Sequence, residues 1–243
     1  MRWGILGFLF LISGCVGNNT TDDMIVVSPT SPNLYSIATI QKITDSTAPI
    51  HIYIEGDGHA FDAFGHATGD PTPRTRTVRN MAMADKSPNV IYIARPCQFI
   101  MDAKCQETDW TTGRFSQTMV DSIAAAIKTI AGSRPVILIG YSGGAMISGL
   151  IIQNHSEINA IQWITLAGVL NHTDWTQYFG DAPLIHSLNL NTLPRVPQVH
   201  YIAEHDKTVP NSLSRKWVKN EKIIVIPNAT HNDLHIEKLD FIN

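Results

Sequence analysis

The sequence predicts an α/β protein built on a mostly parallel central sheet flanked by helices. Three observations carry that expectation. Short runs rich in β-branched and aromatic residues recur at residues 35–40, 50–54, 89–94, 136–139, 161–166, 199–203 and 222–226. Segments with apolar residues at helical spacing separate the later ones, and such alternation builds a parallel sheet covered on both faces. The run Val136-Ile137-Leu138-Ile139 is apolar without a break, as a central strand buried on both faces should be.

In chain order, residues 35–40 and 50–54 read as the first strands. Asn89-Val90-Ile91-Tyr92-Ile93-Ala94 reads as a buried strand that ends at Pro96. Residues 117–131 change period: Met119, Val120, Ile123, Ala124, Ile127 and Ile130 fall on one helical stripe, and Gly132 and Pro135 stop the helix. A helix over residues 144–153 follows the 136–139 strand, then strands at 161–166 and 199–203. A short helix near 213–218 leads into the last strand, 222–226. Residues 171–197 interrupt the alternation. A stretch this long with Trp175, Tyr178, Phe179, Leu184, Leu188, Leu190 and Leu193 is either a cap over a pocket or packing against the sheet edge.

A hydrophobic fraction of 44% and a charged fraction of 16% are globular values, and 243 residues bury a sizeable core without staples. A net charge of −3 with no run of like charges argues against a nucleic-acid partner. The N-terminus is distinct. Arg2 precedes the apolar stretch Gly4-Ile5-Leu6-Gly7-Phe8-Leu9-Phe10-Leu11-Ile12, which has the length of a signal-peptide core and is too short to span a bilayer. Leu11-Ile12-Ser13-Gly14-Cys15 resembles the cleavage box of bacterial lipoproteins. The organisation expected from these signals is a signal peptide at 1–14, a lipidated Cys15 with a polar tether over 15–33, and one folded domain over 34–243 with a candidate cap at 171–197. That resemblance implies a cell-envelope protein anchored in a lipid bilayer by its acylated N-terminus, each buried CH₂ contributing about 0.8 kcal/mol. Val16 after the cysteine, where Asp is absent, resembles lipoproteins sorted to the outer membrane. With Cys15 set aside, Cys97 and Cys105 form an even pair, and a disulfide is expected in an exported chain.

The chemistry concentrates at Gly140-Tyr141-Ser142-Gly143-Gly144, a G-x-S-x-G sequence between a buried strand and an apolar helix. A sharp strand-to-helix turn exposes the serine hydroxyl, and glycines two positions away avoid collision. The Gly143 N–H then lies at a helix N-terminus, where it can stabilise an oxyanion. Val199-His200-Tyr201-Ile202-Ala203-Glu204-His205-Asp206 and Pro227-Asn228-Ala229-Thr230-His231 each place a polar group directly after a strand. In this order the chain resembles the α/β-hydrolases from about Tyr35 onward. That resemblance implies a triad of Ser142 as nucleophile, His231 as base and Asp206 as the acid orienting it. Glu204, Asp233, His205 and His235 are the competing residues. Asp206 is preferred because it begins the loop beyond its strand, and His235 is expected on a C-terminal helix at the surface.

The family places a second oxyanion donor after the early strand. Here Glu55-Gly56-Asp57-Gly58 stands where His-Gly-Gly is frequent, so the Asp57 N–H is the expected donor with that of Gly143. Carboxylates of Glu55 and Asp57 near the pocket would repel an anionic acyl group, unless arginines such as Arg74 or Arg95 pair with them. The resemblance implies a serine hydrolase acting on a small-molecule ester or thioester, without an organic cofactor. A peptidase or amidase with the same triad, and a non-catalytic envelope lipoprotein that kept the fold, are the alternatives. His59, Asp62 and His66 have a metal-like spacing, but ten histidines make such clusters common by chance and no metal is expected.

Overall fold

The computed structural model describes residues 24–236 and 238–241. The expected signal peptide, Cys15 and the first part of the expected tether lie outside the described residues. Eight strands form one sheet in the order β1-β2-β4-β3-β5-β6-β7-β8. They are β1 (Ile25–Val27), β2 (Ile37–Ile43), β3 (Ile50–Ile54), β4 (Asn89–Ile93), β5 (Val136–Tyr141), β6 (Ala160–Leu166), β7 (Gln198–Ala203) and β8 (Lys222–Ile226). Every pairing from β4 through β8 is parallel. β2 alone runs against the others, pairing antiparallel with both β1 and β4. The sheet therefore starts inside the segment expected to be tether, because Val26 pairs with Ala38 across its edge.

Side chains alternate across the sheet with period two, and each face carries its own core. Ile50, Ile52 and Ile54 of β3 and Val136 and Leu138 of β5 point to one side. There they meet α2 (Gln117–Ala131) through Met119, Val120, Ile123 and Ile127, and α3 (Gly143–Asn154) through Ala145, Met146, Leu150 and Ile151. Tyr53, Ile137, Ile139 and Tyr141 point to the other side, against Val78 and Ala82 of α1 (Thr77–Ala84) and against Leu234 and Leu239 of the C-terminal segment. α2 begins where Ser116 Oγ accepts from the Met119 N–H at 3.4 Å, and it ends at Gly132 with φ 63°. α3 is buried from Gly143 through Ile151, so its sequence is apolar all round.

Residues 171–197 hold α4 (His172–Phe179), capped by the Asn171 side chain at Asp174 N (2.9 Å) and closed by Gly180 in the left-handed region. Beyond it, Leu184 and Leu190 are buried in the first core, and Leu188 N donates to Phe115 O at 2.9 Å. Helix α5 spans Asn211–Trp217. His235 lies in irregular chain, not on the helix expected for it.

Cys97 and Cys105 are joined, with Cα atoms 5.9 Å apart. Closing so short a loop contributes roughly 2–3 kcal/mol by chain entropy. The bond clamps the segment immediately after β4, next to Arg95. Backbones meet closely where β5 turns into α3. A Cβ on Gly144 would stand 2.4 Å from the Ile54 carbonyl oxygen and 2.6 Å from that of Glu55. Both are main-chain atoms of the sheet and cannot rotate away. Gly144→Ala is accordingly expected to destabilise the fold by about 3 kcal/mol, read as a lowered denaturant midpoint with unchanged slope.

Candidate active site

Four loops at the C-terminal ends of β3, β5, β7 and β8 converge, the position where open α/β sheets gather ligands. Ser142 stands between β5 and α3, as the N-cap of α3, with φ 51° and ψ −121°. A non-glycine residue at this φ costs of order 1–3 kcal/mol and persists only when its surroundings over-determine it. Three hydrogen bonds do so: Ser142 N donates to Leu166 O (2.9 Å), while Ser142 O accepts from Ala145 N (3.1 Å) and Val169 N (3.0 Å).

Ser142 Oγ lies 3.0 Å from His231 Nε2, and His231 Nδ1 lies 2.8 Å from Asp206 Oδ2. All three residues are at most 9% exposed. Asp206 Oδ1 accepts from the N–H groups of Thr208 (2.8 Å) and Val209 (2.7 Å), which fixes the carboxylate plane. Tyr141 OH lies 3.0 Å from both the His231 carbonyl oxygen and Asn232 Oδ1, tying the histidine loop to the strand that carries the serine. The competitors are elsewhere. Glu204 Oε2 accepts from Asn228 N (2.8 Å), His205 stands 3.8 Å from Glu204, and His235 pairs with Asp233 at 2.9 Å, all in exposed positions.

The Asp57 side chain and Gly56 lie against the turn that carries Ser142 and Gly143. A Cβ on Gly143 would fall 2.1 Å from Asp57 Oδ1, and one on Gly56 would fall 3.1 Å from Ser142 Cβ. Gly56 N is occupied by Glu55 Oε1 (2.9 Å), whereas Asp57 N donates to no other described residue.

The electrostatics of this loop differ from the repulsion expected of two free carboxylates. Glu55 is fully buried, accepts from Tyr92 OH (2.9 Å), and is pushed up to about 7 by that burial. Asp57 faces Arg95 Nη1 at 3.0 Å and Arg114 Nε at 3.3 Å, so its charge is met twice over. Arg95 was one of the partners the sequence offered. Arg114 was not, because it sits between Gly113 and Phe115 just ahead of α2, where no motif marks it. His59, Asp62 and His66 serve loop geometry: Asp62 Oδ1 accepts from Phe64 N (2.8 Å) and His66 N (2.9 Å).

A cleft of about 350 Å³ opens over Ser142 and His231. Glu55, Asp57, Phe61, Arg114, His172, Trp175 and Val209 are among its walls, so α4 of the 171–197 stretch contributes to it. Burial holds His172 below the usual imidazole range, and the charge of Arg114 adds to that effect.

No protein-family model and no curated protein matches the chain. Solved structures do. An alpha-beta serine hydrolase homologue from Coxiella burnetii superposes with a TM-score of 0.55 at 13% identity, covering 87% of this chain and 90% of that one. A serine hydrolase from Cycloclasticus zankles gives 0.59 at 10% identity, covering 86% and 90%. An esterase from Pyrococcus furiosus gives 0.57 at 14% identity, covering 86% and 84%. At such identities the likeness speaks for architecture alone. The eight-stranded, mostly parallel sheet with its flanking helices is the α/β-hydrolase fold.

Proposed function

We propose that this chain is a serine hydrolase that cleaves a carboxylic ester or thioester through an acyl-enzyme intermediate. The observation that carries the reading is the Ser142–His231–Asp206 relay, 3.0 and 2.8 Å between partners at the floor of a cleft. Ser142 Oγ attacks the carbonyl carbon as His231 Nε2 takes its proton, and Asp206 stabilises the imidazolium that results. The carbonyl oxygen becomes an oxyanion held by the N–H groups of Asp57 and Gly143. His231 returns the proton to the leaving group, and water then repeats the sequence on the acyl-enzyme. The cleft's volume suits a small or medium substrate. A fluorophosphonate probe is expected to label one serine per chain, and a p-nitrophenyl ester series should show turnover that falls once the acyl chain outgrows the cleft. Failure of both would leave a non-catalytic binding protein.

The chain is further proposed to be exported and anchored through acylated Cys15. The lipoprotein-like Leu11-Ile12-Ser13-Gly14-Cys15 sequence supports this, and so does the Cys97–Cys105 bond, since disulfides persist in oxidising compartments. Cys15→Ser is expected to move the protein from the membrane to the soluble fraction of cells. Retention in the membrane fraction would overturn the anchor.

A further inference from the structure

The Ser142 cleft carries more positive charge than acyl transfer requires. Arg114 lines it at 4% exposure, and exposed Arg74, which has Asp70 as a counter-charge, is also among its walls. One carboxylate, Asp57, answers both Arg95 and Arg114. Glu55 supplies only part of the missing charge near neutral pH, because burial favours its protonated form. Asp206 is committed to His231 and to the amides of Thr208 and Val209.

The geometry of Arg114 is that of a prepared receptor. Its Cζ lies 5.7 Å from the ring centres of Phe61 and Phe115 and 5.3 Å from that of Trp175. The aromatic rings hold the guanidinium by cation–π attraction. Nε stands 3.3 Å from an Asp57 carboxylate oxygen without a hydrogen bond to it, and no residue among those described accepts from the two terminal nitrogens. A buried guanidinium with unspent in-plane donors matches a planar anion bidentately.

We propose that the cleft selects substrates carrying a carboxylate, which the terminal nitrogens of Arg114 bind, making Arg114 the specificity-determining residue of the hydrolysis inferred above, on which this proposal rests. The carboxylate belongs to the substrate and undergoes no reaction.

The test uses the full-length protein and two matched pairs of esters. One pair is p-nitrophenyl valerate against mono-p-nitrophenyl glutarate, which puts the carboxylate on the acyl side. The other is phenyl acetate against 3-carboxyphenyl acetate, which puts it on the leaving group. In one of the pairs, kcat/KM is expected to favour the carboxylate member by about tenfold or more. Arg114→Gln should collapse that ratio toward one, and Arg114→Lys should restore part of it. Free glutarate should inhibit neutral-ester turnover by the unaltered protein where glutaramide does not, which reads the contact without any variant. Equal or better turnover of the neutral member in both pairs, or equal inhibition by the two additives, would overturn the proposal and leave the hydrolase reading standing. No turnover of any of the four esters together with no fluorophosphonate labelling would remove the hydrolase reading and this proposal with it.

Discussion

Ser142→Ala is expected to lower ester turnover by about 10⁴-fold or more while leaving the fold as stable as before. The substitution deletes one oxygen, whose recorded side-chain contact is His231 Nε2 at 3.0 Å. Without it there is no covalent acyl-enzyme. What remains is the oxyanion site and substrate positioning, which together retain only a small part of such catalysis. The backbone is unaffected in kind. Alanine carries the same Cβ as serine, so the φ of 51° costs it a similar strain, and the hydrogen bonds to Leu166, Ala145 and Val169 involve main-chain atoms alone. Kinetics on a short p-nitrophenyl ester and a thermal melt of the same preparation separate the two effects. Loss of turnover with an unchanged Tm assigns the nucleophile. Undiminished turnover and continued fluorophosphonate labelling would place the reactive serine elsewhere.

What the sequence made legible follows local periodicity. Residues 117–131 read as a helix because apolar residues fall on one stripe that Gly132 and Pro135 stop, and α2 has those bounds. Residues 222–226 are a strand as read, and the glycine-flanked serine between a buried strand and an apolar helix sits at the turn that pattern describes. The misses are of two kinds. β1 is three residues long with two of them exposed, too short to show a period. α1 is only eight residues long, so Val78, Met81 and Ala82 give a short stripe, and no side-chain cap marks its start. The second kind is tertiary. The sequence left Glu55 and Asp57 either as free negative charge or as partners of arginines such as Arg95, and only the fold shows Glu55 buried and Asp57 paired with both Arg95 and Arg114. Arg114 comes to Asp57 from 57 positions along the chain, a juxtaposition made by the order of strands and invisible to spacing.

Asp206→Asn tests the third member of the relay, and its expected cost is about 10⁴-fold in kcat. The argument rests on which end of the amide faces the histidine. Asp206 Oδ1 accepts two backbone N–H groups, from Thr208 and Val209, at 2.8 and 2.7 Å. In asparagine that position must hold the carbonyl oxygen, because an NH₂ group there would oppose two donors. The NH₂ is thereby directed at His231 Nδ1, now 2.8 Å from a donor where it had an acceptor. The neutral imidazole answers by keeping its lone pair on Nδ1 and its proton on Nε2, the atom that must take the proton of Ser142. The base is thus present, correctly placed and in the wrong tautomer. Because both backbone hydrogen bonds survive, stability should change little, and kcat and the rate of fluorophosphonate labelling should fall together. A variant with unimpaired kcat would mean that another acid orients His231. Glu204 is the nearest to Asp206 in sequence, but its carboxylate is exposed and turned toward the Asn228 N–H, and Asp233, the nearest to His231, is exposed and paired with His235.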